Sequence, residues 1–261
     1  MAEEKYDLGE RDGMEIPKGR FGIWFENFWY HYKWHSIIAL FIIFVIVICS
    51  VQMCSKEEYD VHIVYAGGEH VMGDKSDGDI PLYSTILKSL NEAVYDFDGN
   101  GTVNTSFEAL YMLTAEEIAE IEKEILDLKE KGEEHLSLNY VQLTENENLF
   151  RERIAYSDIY VFLLSDTVYK KYQTYEYDVP MFASIRELAN PDSEIEFLDD
   201  SAAYLHSTPF GSLPGLSDLP ENTVIVLRSV NALSSHFNKD ETNELFENSK
   251  KVVENMLNYE D

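Results

Sequence analysis

An uncharged apolar run near the N terminus constrains this chain more than any other feature. The run, SIIALFIIFVIVICSVQM at residues 36–53, is eighteen residues long and has no charged side chain. As a helix with a rise of about 1.5 Å per residue it would be about 27 Å long, which matches the hydrocarbon core of a bilayer. Buried helices of soluble domains usually keep a polar stripe, whereas here the polar residues lie near the two ends of the run. The sequence therefore predicts one transmembrane helix at residues 36–54.

The charges that flank this run predict its orientation. Lys18, Arg20 and Lys33 precede it, whereas Lys56 is followed at once by acidic residues. Basic residues favour the cytoplasmic side of a membrane. We therefore expect a single-pass protein of the cell membrane, with a cytoplasmic N terminus and an extracytoplasmic segment at residues 56–261. A cleaved signal peptide fits poorly because no small-residue cleavage site follows the run, so we expect an uncleaved signal anchor.

The segment just before the run, FGIWFENFWYHYKWH, is rich in aromatic residues. Phe21, Trp24, Phe25 and Phe28 follow helical spacing, and tryptophan and tyrosine residues come next. Such side chains favour the interface between lipid and water. We predict that residues 1–35 are a cytoplasmic tail with an interfacial aromatic helix, and a helix that binds a partner is the alternative.

The segment after the run is strongly acidic. Residues 56–261 contain 42 acidic and 15 basic side chains, a formal net charge of −27. Binding to nucleic acid requires a basic face, so the composition excludes nucleic acid as a partner. The chain as a whole is 45% apolar, which is enough to fill a core and excludes a disordered acidic chain. The predicted partners are the membrane, through one span, and a small ligand or an envelope protein.

Strand and helix patterns alternate along the exported segment. The β-rich runs are residues 59–66, 103–113, 136–143, 158–164 and 223–228. Helical patterns occupy residues 81–95, 114–132, 145–156, 166–175 and 239–259. The second of these helices begins with Thr114 and Glu117, which form the sequence signature of a capping box. Residues 201–220, rich in serine, proline and glycine, indicate a long loop. This alternation predicts an α/β domain with a mainly parallel sheet and helices on both faces.

The most specific motif is DFDGNGTVN, residues 96–104. Calcium loops have oxygen-bearing side chains at positions 1, 3 and 5, a glycine at 6 and a carbonyl ligand at 7. The residues at positions 1, 3, 5 and 7 are Asp96, Asp98, Asn100 and Thr102. This half of the motif resembles the EF-hand and dockerin calcium loops, and the resemblance implies bound calcium. Position 12 is Phe107, so the next residue, Glu108, is the acidic candidate for the final ligand. A turn between a helix and a strand needs the same residue types, and the sequence leaves both interpretations open.

Other sequence signals for chemistry are weak. Gly67 and Gly68 follow the first predicted strand, where α/β proteins place loops that contact ligands, although a turn explains them better. The exported segment has no cysteine and no GxSxG, SxxK or HExxH motif. We therefore predict no catalytic residues.

The order of the elements resembles a known family. A strand that ends in Gly-Gly is followed by a helix, a second strand and then ENLFRERIAYSDIYVFLLSD. Over residues 59–190 this order is similar to the first lobe of type II extracytoplasmic solute-binding proteins. The whole layout also resembles single-span, membrane-anchored extracytoplasmic proteins of clostridia-type Gram-positive bacteria.

The second resemblance implies a location and no activity. From the sequence as a whole we predict a membrane-tethered, non-catalytic extracytoplasmic domain that binds a small ligand, a cation or an envelope partner. The alternatives are a cell-envelope hydrolase that uses carboxylates and an accessory subunit of a membrane complex.

Overall fold

A computed structural model describes residues 19–54, 59–69, 71, 82–133, 137–156, 158–173, 180–230 and 239–260. Residues 1–18 of the predicted cytoplasmic tail and the flank 56–58 lie outside these ranges. The chain divides into two compact units, Met1–Glu57 and Glu58–Asp261.

The described part of the N-terminal unit, residues 19–54, forms one helix, α1, Arg20–Cys54. Within it, Phe28–Ser50 has a mean hydropathy of 2.2, so α1 is long and apolar enough to cross a membrane. The predicted interfacial helix is not a separate element, because the aromatic residues occupy the first turns of α1. Their rings stack along the helix, with centroids 5.6 Å apart for Trp24 and Phe28 and 5.4 Å apart for Phe28 and Tyr32. No glycine or proline follows Gly22 before the end of α1, so nothing in the backbone interrupts the helix.

The second unit is an α/β domain. Its strands are β1 Val61–Gly67, β2 Thr105–Tyr111, β3 Val161–Ser165, β4 Phe197–Asp199, β5 Ala202–Tyr204 and β6 Thr223–Leu227. Its helices are α2 Leu82–Ala93, α3 Ala115–Lys131, α4 Tyr140–Tyr156, α5 Asp166–Lys171 and α6 Lys239–Leu257. Short 3-10 turns cover Arg186–Leu188, Leu205–Ser207 and Pro209–Ser212.

The six strands form one mixed sheet in the order β2-β1-β3-β6-β5-β4. β1 pairs in parallel with both β2 and β3, whereas β3–β6, β6–β5 and β5–β4 are antiparallel. The α/β class is confirmed, whereas the predicted parallel pairing is found only around β1 and the sheet as a whole is mixed. Thr223 at the start of β6 pairs with Ser165 at the end of β3, so β6 enters the sheet at the edge where β3 leaves it. A parallel β6 would have required a crossover to the opposite edge.

Helices cover both faces of the sheet. α2 and α6 pack on one face, through side chains such as Leu90 and Met256. α4 and α5 pack on the other face, through side chains such as Phe150 and Val168. Every residue of β3 and β6 is buried, as expected for strands covered on both sides.

Two local predictions differ from the structure. Residues 140–143 of the predicted strand 136–143 form the first turn of α4, where the Asn139 side chain accepts a hydrogen bond from the Gln142 N–H at 3.2 Å. This contact caps the helix start, as asparagine commonly does. The predicted loop 201–220 contains β5 and two 3-10 turns, and its Leu205 and Phe210 are buried in the core.

Candidate functional site: an acidic loop at the amino edge of the sheet

The DFDGNGTVN motif connects α2 to β2 and lies at the amino-terminal edge of the sheet. β1 and β2 are parallel, and Val61 is paired with Thr105. The residues that precede the two strands are therefore neighbours, and the Asp60 N–H donates to the Asn104 carbonyl at 2.9 Å. The sheet thus brings Asp60, which is distant in sequence, to the end of the motif.

Asp60 joins two of the predicted ligands. One carboxylate oxygen from each of Asp60, Asp96 and Asp98 lies within 4.8 Å of the other two. Asp60 is buried, whereas Asp96 and Asp98 are exposed. Carboxylate oxygens are the preferred ligands of calcium, so this cluster can hold a divalent cation. We call these three residues the aspartate cluster.

Asp60 also holds the motif in place. Its Oδ1 accepts hydrogen bonds from the backbone N–H groups of Phe97 at 2.7 Å and Asp98 at 3.4 Å. Its Oδ2 accepts from the Asn104 N–H at 2.9 Å. The sequence analysis missed Asp60, because the motif does not contain it. The parallel pairing of the strands that follow Asp60 and Asn104 was the signal that could have found it.

The loop is folded by hydrogen bonds from its own backbone. Asp96 accepts from the N–H groups of Asn100 at 3.1 Å and Gly101 at 2.8 Å. The Gly101 N–H is the main cause of a lowered Asp96 pKa, because it stabilises the charged carboxylate. Asn100 Oδ1 accepts from the Thr102 N–H at 2.8 Å. Gly101 has a φ of 86°, a left-handed conformation that glycine adopts without steric cost.

Glu108 does not approach the aspartate cluster. It lies within β2, where neighbouring side chains point to opposite faces of the sheet. Phe107 is buried in the core, and the Glu108 carboxylate accepts from Arg153 Nε at 2.7 Å. The structure therefore brings together Asp96, Asp98 and their loop, and pairs Glu108 with α4 instead.

Gly67 and Gly68 lie at the opposite edge of the sheet. β1 has seven residues, so these glycines are about 20 Å from Asp60. A Cβ on Gly67 would lie 2.6 Å from the Tyr65 hydroxyl, and one on Gly68 would lie 3.3 Å from Leu113 Cδ2. Close packing accounts for Gly67, whereas at Gly68 a small shift of the leucine side chain would admit a Cβ. Contact of either glycine with a ligand stays a prediction.

A cavity of about 710 Å³ opens near the carboxyl ends of β2 and β3, between α3 and α5. Glu117 lines it, and both of its carboxylate oxygens are engaged. Oε1 accepts from the Thr167 hydroxyl at 3.0 Å, and Oε2 accepts from the Thr114 N–H at 2.6 Å and from its hydroxyl at 2.9 Å. This glutamate orders the start of α3, as the capping-box signature predicted.

Protein-family models, curated proteins and solved structures give no match to this chain. The resemblances to type II solute-binding proteins and to EF-hand and dockerin loops therefore stay predictions from the residues quoted above.

Proposed function

We propose that this chain is a membrane-tethered, non-catalytic extracytoplasmic domain that binds calcium at the aspartate cluster. The convergence of three carboxylates, one of them from outside the motif, is the observation that carries this proposal. α1 supplies the membrane anchor, and the basic residues before the span favour a cytoplasmic N terminus. In this topology the acidic domain faces the outside of the cell.

Asp60 compensates for the missing residue at position 12 of the motif. Calcium takes six to eight oxygen ligands, and a bidentate acidic side chain usually completes the loop. Here Phe107 is in the core and Glu108 bonds Arg153, so neither residue reaches the cluster. The Asp60 carboxylate approaches from β1 and supplies the third negative charge. The Asn100 side chain, the Thr102 carbonyl and water complete the proposed ligand set.

A weak affinity suits this ligand set and the proposed location. Extracellular calcium modules bind with dissociation constants of about 0.1–1 mM. At about 10 mM calcium such a site stabilises the folded state by about 1.4–2.7 kcal/mol. For a domain of about 200 residues this corresponds to a rise of about 3–11 °C in Tm.

Thermal unfolding of the full chain in lipid nanodiscs tests the proposal. We expect calcium to raise Tm by several degrees, magnesium at the same concentration to raise it much less, and Asp98→Ala to abolish the calcium effect. Glu108→Gln is the matched control, because it removes an acidic side chain that lies outside the cluster and should keep the calcium shift. An equal shift in the wild type and Asp98→Ala would refute calcium binding at this loop.

A further inference from the structure

Helix α3 is well formed but poorly packed. Its start has a complete capping box and its end is capped by Gly132, yet none of its 17 residues is buried. Helices of this length depend on burial of an apolar face for most of their stability. The described residues leave the apolar face of α3 partly open.

This apolar face has the pattern of a coiled-coil seam. Ile118, Ile121, Ile125 and Leu128 follow one another at spacings of three, four and three residues. These are the a and d positions of a heptad, at which side chains interlock with a partner helix. Each of the four is half-buried. We call them the α3 stripe.

Among the described residues, side-chain hydrogen bonds join the first half of α3 to the rest of the domain. The Thr167 hydroxyl donates to Glu117 Oε1 at 3.0 Å, and the Tyr140 hydroxyl contacts the Glu122 carboxylate. Tyr140 and the following residue, Val141, are themselves exposed, at 50% and 68%. Apolar surface therefore continues from α3 onto the first turn of α4.

The charges beside the stripe determine which partner fits. The flanking e and g positions are acidic along the first half of the stripe, at Glu117, Glu122 and Glu124, and basic at its end, at Lys129 and Lys131. α3 as a whole has seven acidic and three basic side chains, and the exported segment has a net charge of −27. Charges at e and g select partners by attraction and repulsion. The acidic excess of α3 and of the exported segment disfavours a second copy of this chain and favours a basic helix.

We propose that the α3 stripe is the docking surface for a basic amphipathic helix of a partner protein in the cell envelope. The partner helix has apolar residues at its a and d positions and lysine or arginine at the e and g positions that face Glu122 and Glu124. The apolar seam supplies most of the contact, and the flanking charges provide selectivity. This inference is independent of cation binding, because the aspartate cluster contributes no residue to it.

Peptide binding to the full chain in zwitterionic nanodiscs tests the proposal. The probe is a labelled peptide of three heptads with isoleucine at a, leucine at d and lysine at e and g. One control peptide carries glutamate at e and g, and a second has the lysine peptide's composition in scrambled order. By fluorescence anisotropy we expect the lysine heptad to bind at least about tenfold more tightly than either control.

Two variants test the stripe itself. We expect Ile121→Asp to weaken binding of the lysine heptad by about tenfold or more. Leu126→Asp is the matched control, because Leu126 lies on α3 outside the stripe and is 57% exposed. It should leave binding unchanged. Glu124→Lys alters an exposed flank without touching the stripe, and it should weaken the lysine heptad while strengthening the glutamate heptad. This variant keeps the test valid if Ile121→Asp fails to fold.

Several results would overturn the proposal. Equal binding of the scrambled peptide indicates general attraction to an acidic surface. Equal binding of the glutamate heptad removes the role of the flanking charges. The absence of binding up to about 1 mM removes the docking surface altogether. A dimer of the chain that disappears in Ile121→Asp shows that a second copy covers the stripe.

Discussion

Replacement of Asp60 by alanine should destabilise the exported domain even without calcium. The Asp60 carboxylate accepts hydrogen bonds from the N–H groups of Phe97 at 2.7 Å and Asn104 at 2.9 Å. Hydrogen bonds to a charged group contribute about 1.5–3 kcal/mol each. The two donors are only partly buried and water can reach them after the substitution, so the low end applies. The expected loss is about 3 kcal/mol, or a fall of about 6–12 °C in Tm.

Two further variants make this prediction specific. Asp60→Asn keeps one acceptor oxygen and should lose about half as much stability. Asp218→Ala removes an exposed aspartate at the surface and should change Tm by less than about 2 °C. Thermal unfolding of the full chain in nanodiscs, followed by circular dichroism in the presence of a chelator, measures all three. If Asp60→Ala melts within about 2 °C of the wild type, Asp60 does not hold the loop and the reasoning is wrong.

Three other substitutions test separate parts of the fold. Arg228→Met removes a buried guanidinium that donates hydrogen bonds to the Ile159 and Ile154 carbonyls at 2.8 and 3.1 Å. We expect it to lower the free energy of unfolding, measured in urea, by about 3 kcal/mol. A decrease of less than about 1 kcal/mol contradicts this prediction. His62 is exposed on β1, but neighbouring atoms partly desolvate its ring and, together with the charge of Arg153, lower its pKa. His62 therefore contributes full stability above about pH 6.5 and loses it as the pH falls towards its folded pKa. His62→Asn should therefore lose less stability than the wild type between about pH 7 and 5, and an unchanged pH profile refutes this role. Thr114→Ala removes the N-cap of α3, so it should lower the free energy of unfolding by about 1 kcal/mol and speed amide hydrogen exchange in the first turn of α3. Unchanged exchange in that turn would show that Thr114 does not cap the helix.

Much of the secondary structure could be predicted because it depends on local patterns. The apolar run gives α1, and the continuous apolar segments give β1, β3 and β6. The capping box and Gly132 mark both ends of α3 correctly. These signals depend on residues close together in the sequence.

The direction of β6 could not be predicted, because a fully buried strand has the same apolar pattern whether it runs parallel or antiparallel. Its direction follows from where the chain re-enters the sheet, opposite Ser165, after more than fifty residues that include β4 and β5. Those two strands have only three residues each, too few to show a period of two. The contribution of β4 and β5 was therefore missed.

The candidate cation site was predicted only in part, because the sequence shows its contiguous motif but not the strand pairing that completes it. Asp96 and Asp98 belong to a contiguous motif that the sequence reveals directly. Asp60 lies beside them only because β1 pairs with β2. Glu108 is not part of the cluster, because its position in β2 places its carboxylate next to Arg153. Local spacing identified the loop, whereas the sheet decided which acidic residue completes it.

Calorimetric titration of calcium into the full chain in nanodiscs tests the central claim most directly. We predict one site per chain with a dissociation constant of about 0.1–1 mM, and no measurable heat for Asp98→Ala. Asp60→Asn should bind more weakly than the wild type, while Asp218→Ala should bind equally well. The absence of calcium-specific heat in the wild type, or the same affinity in Asp98→Ala, would contradict the account.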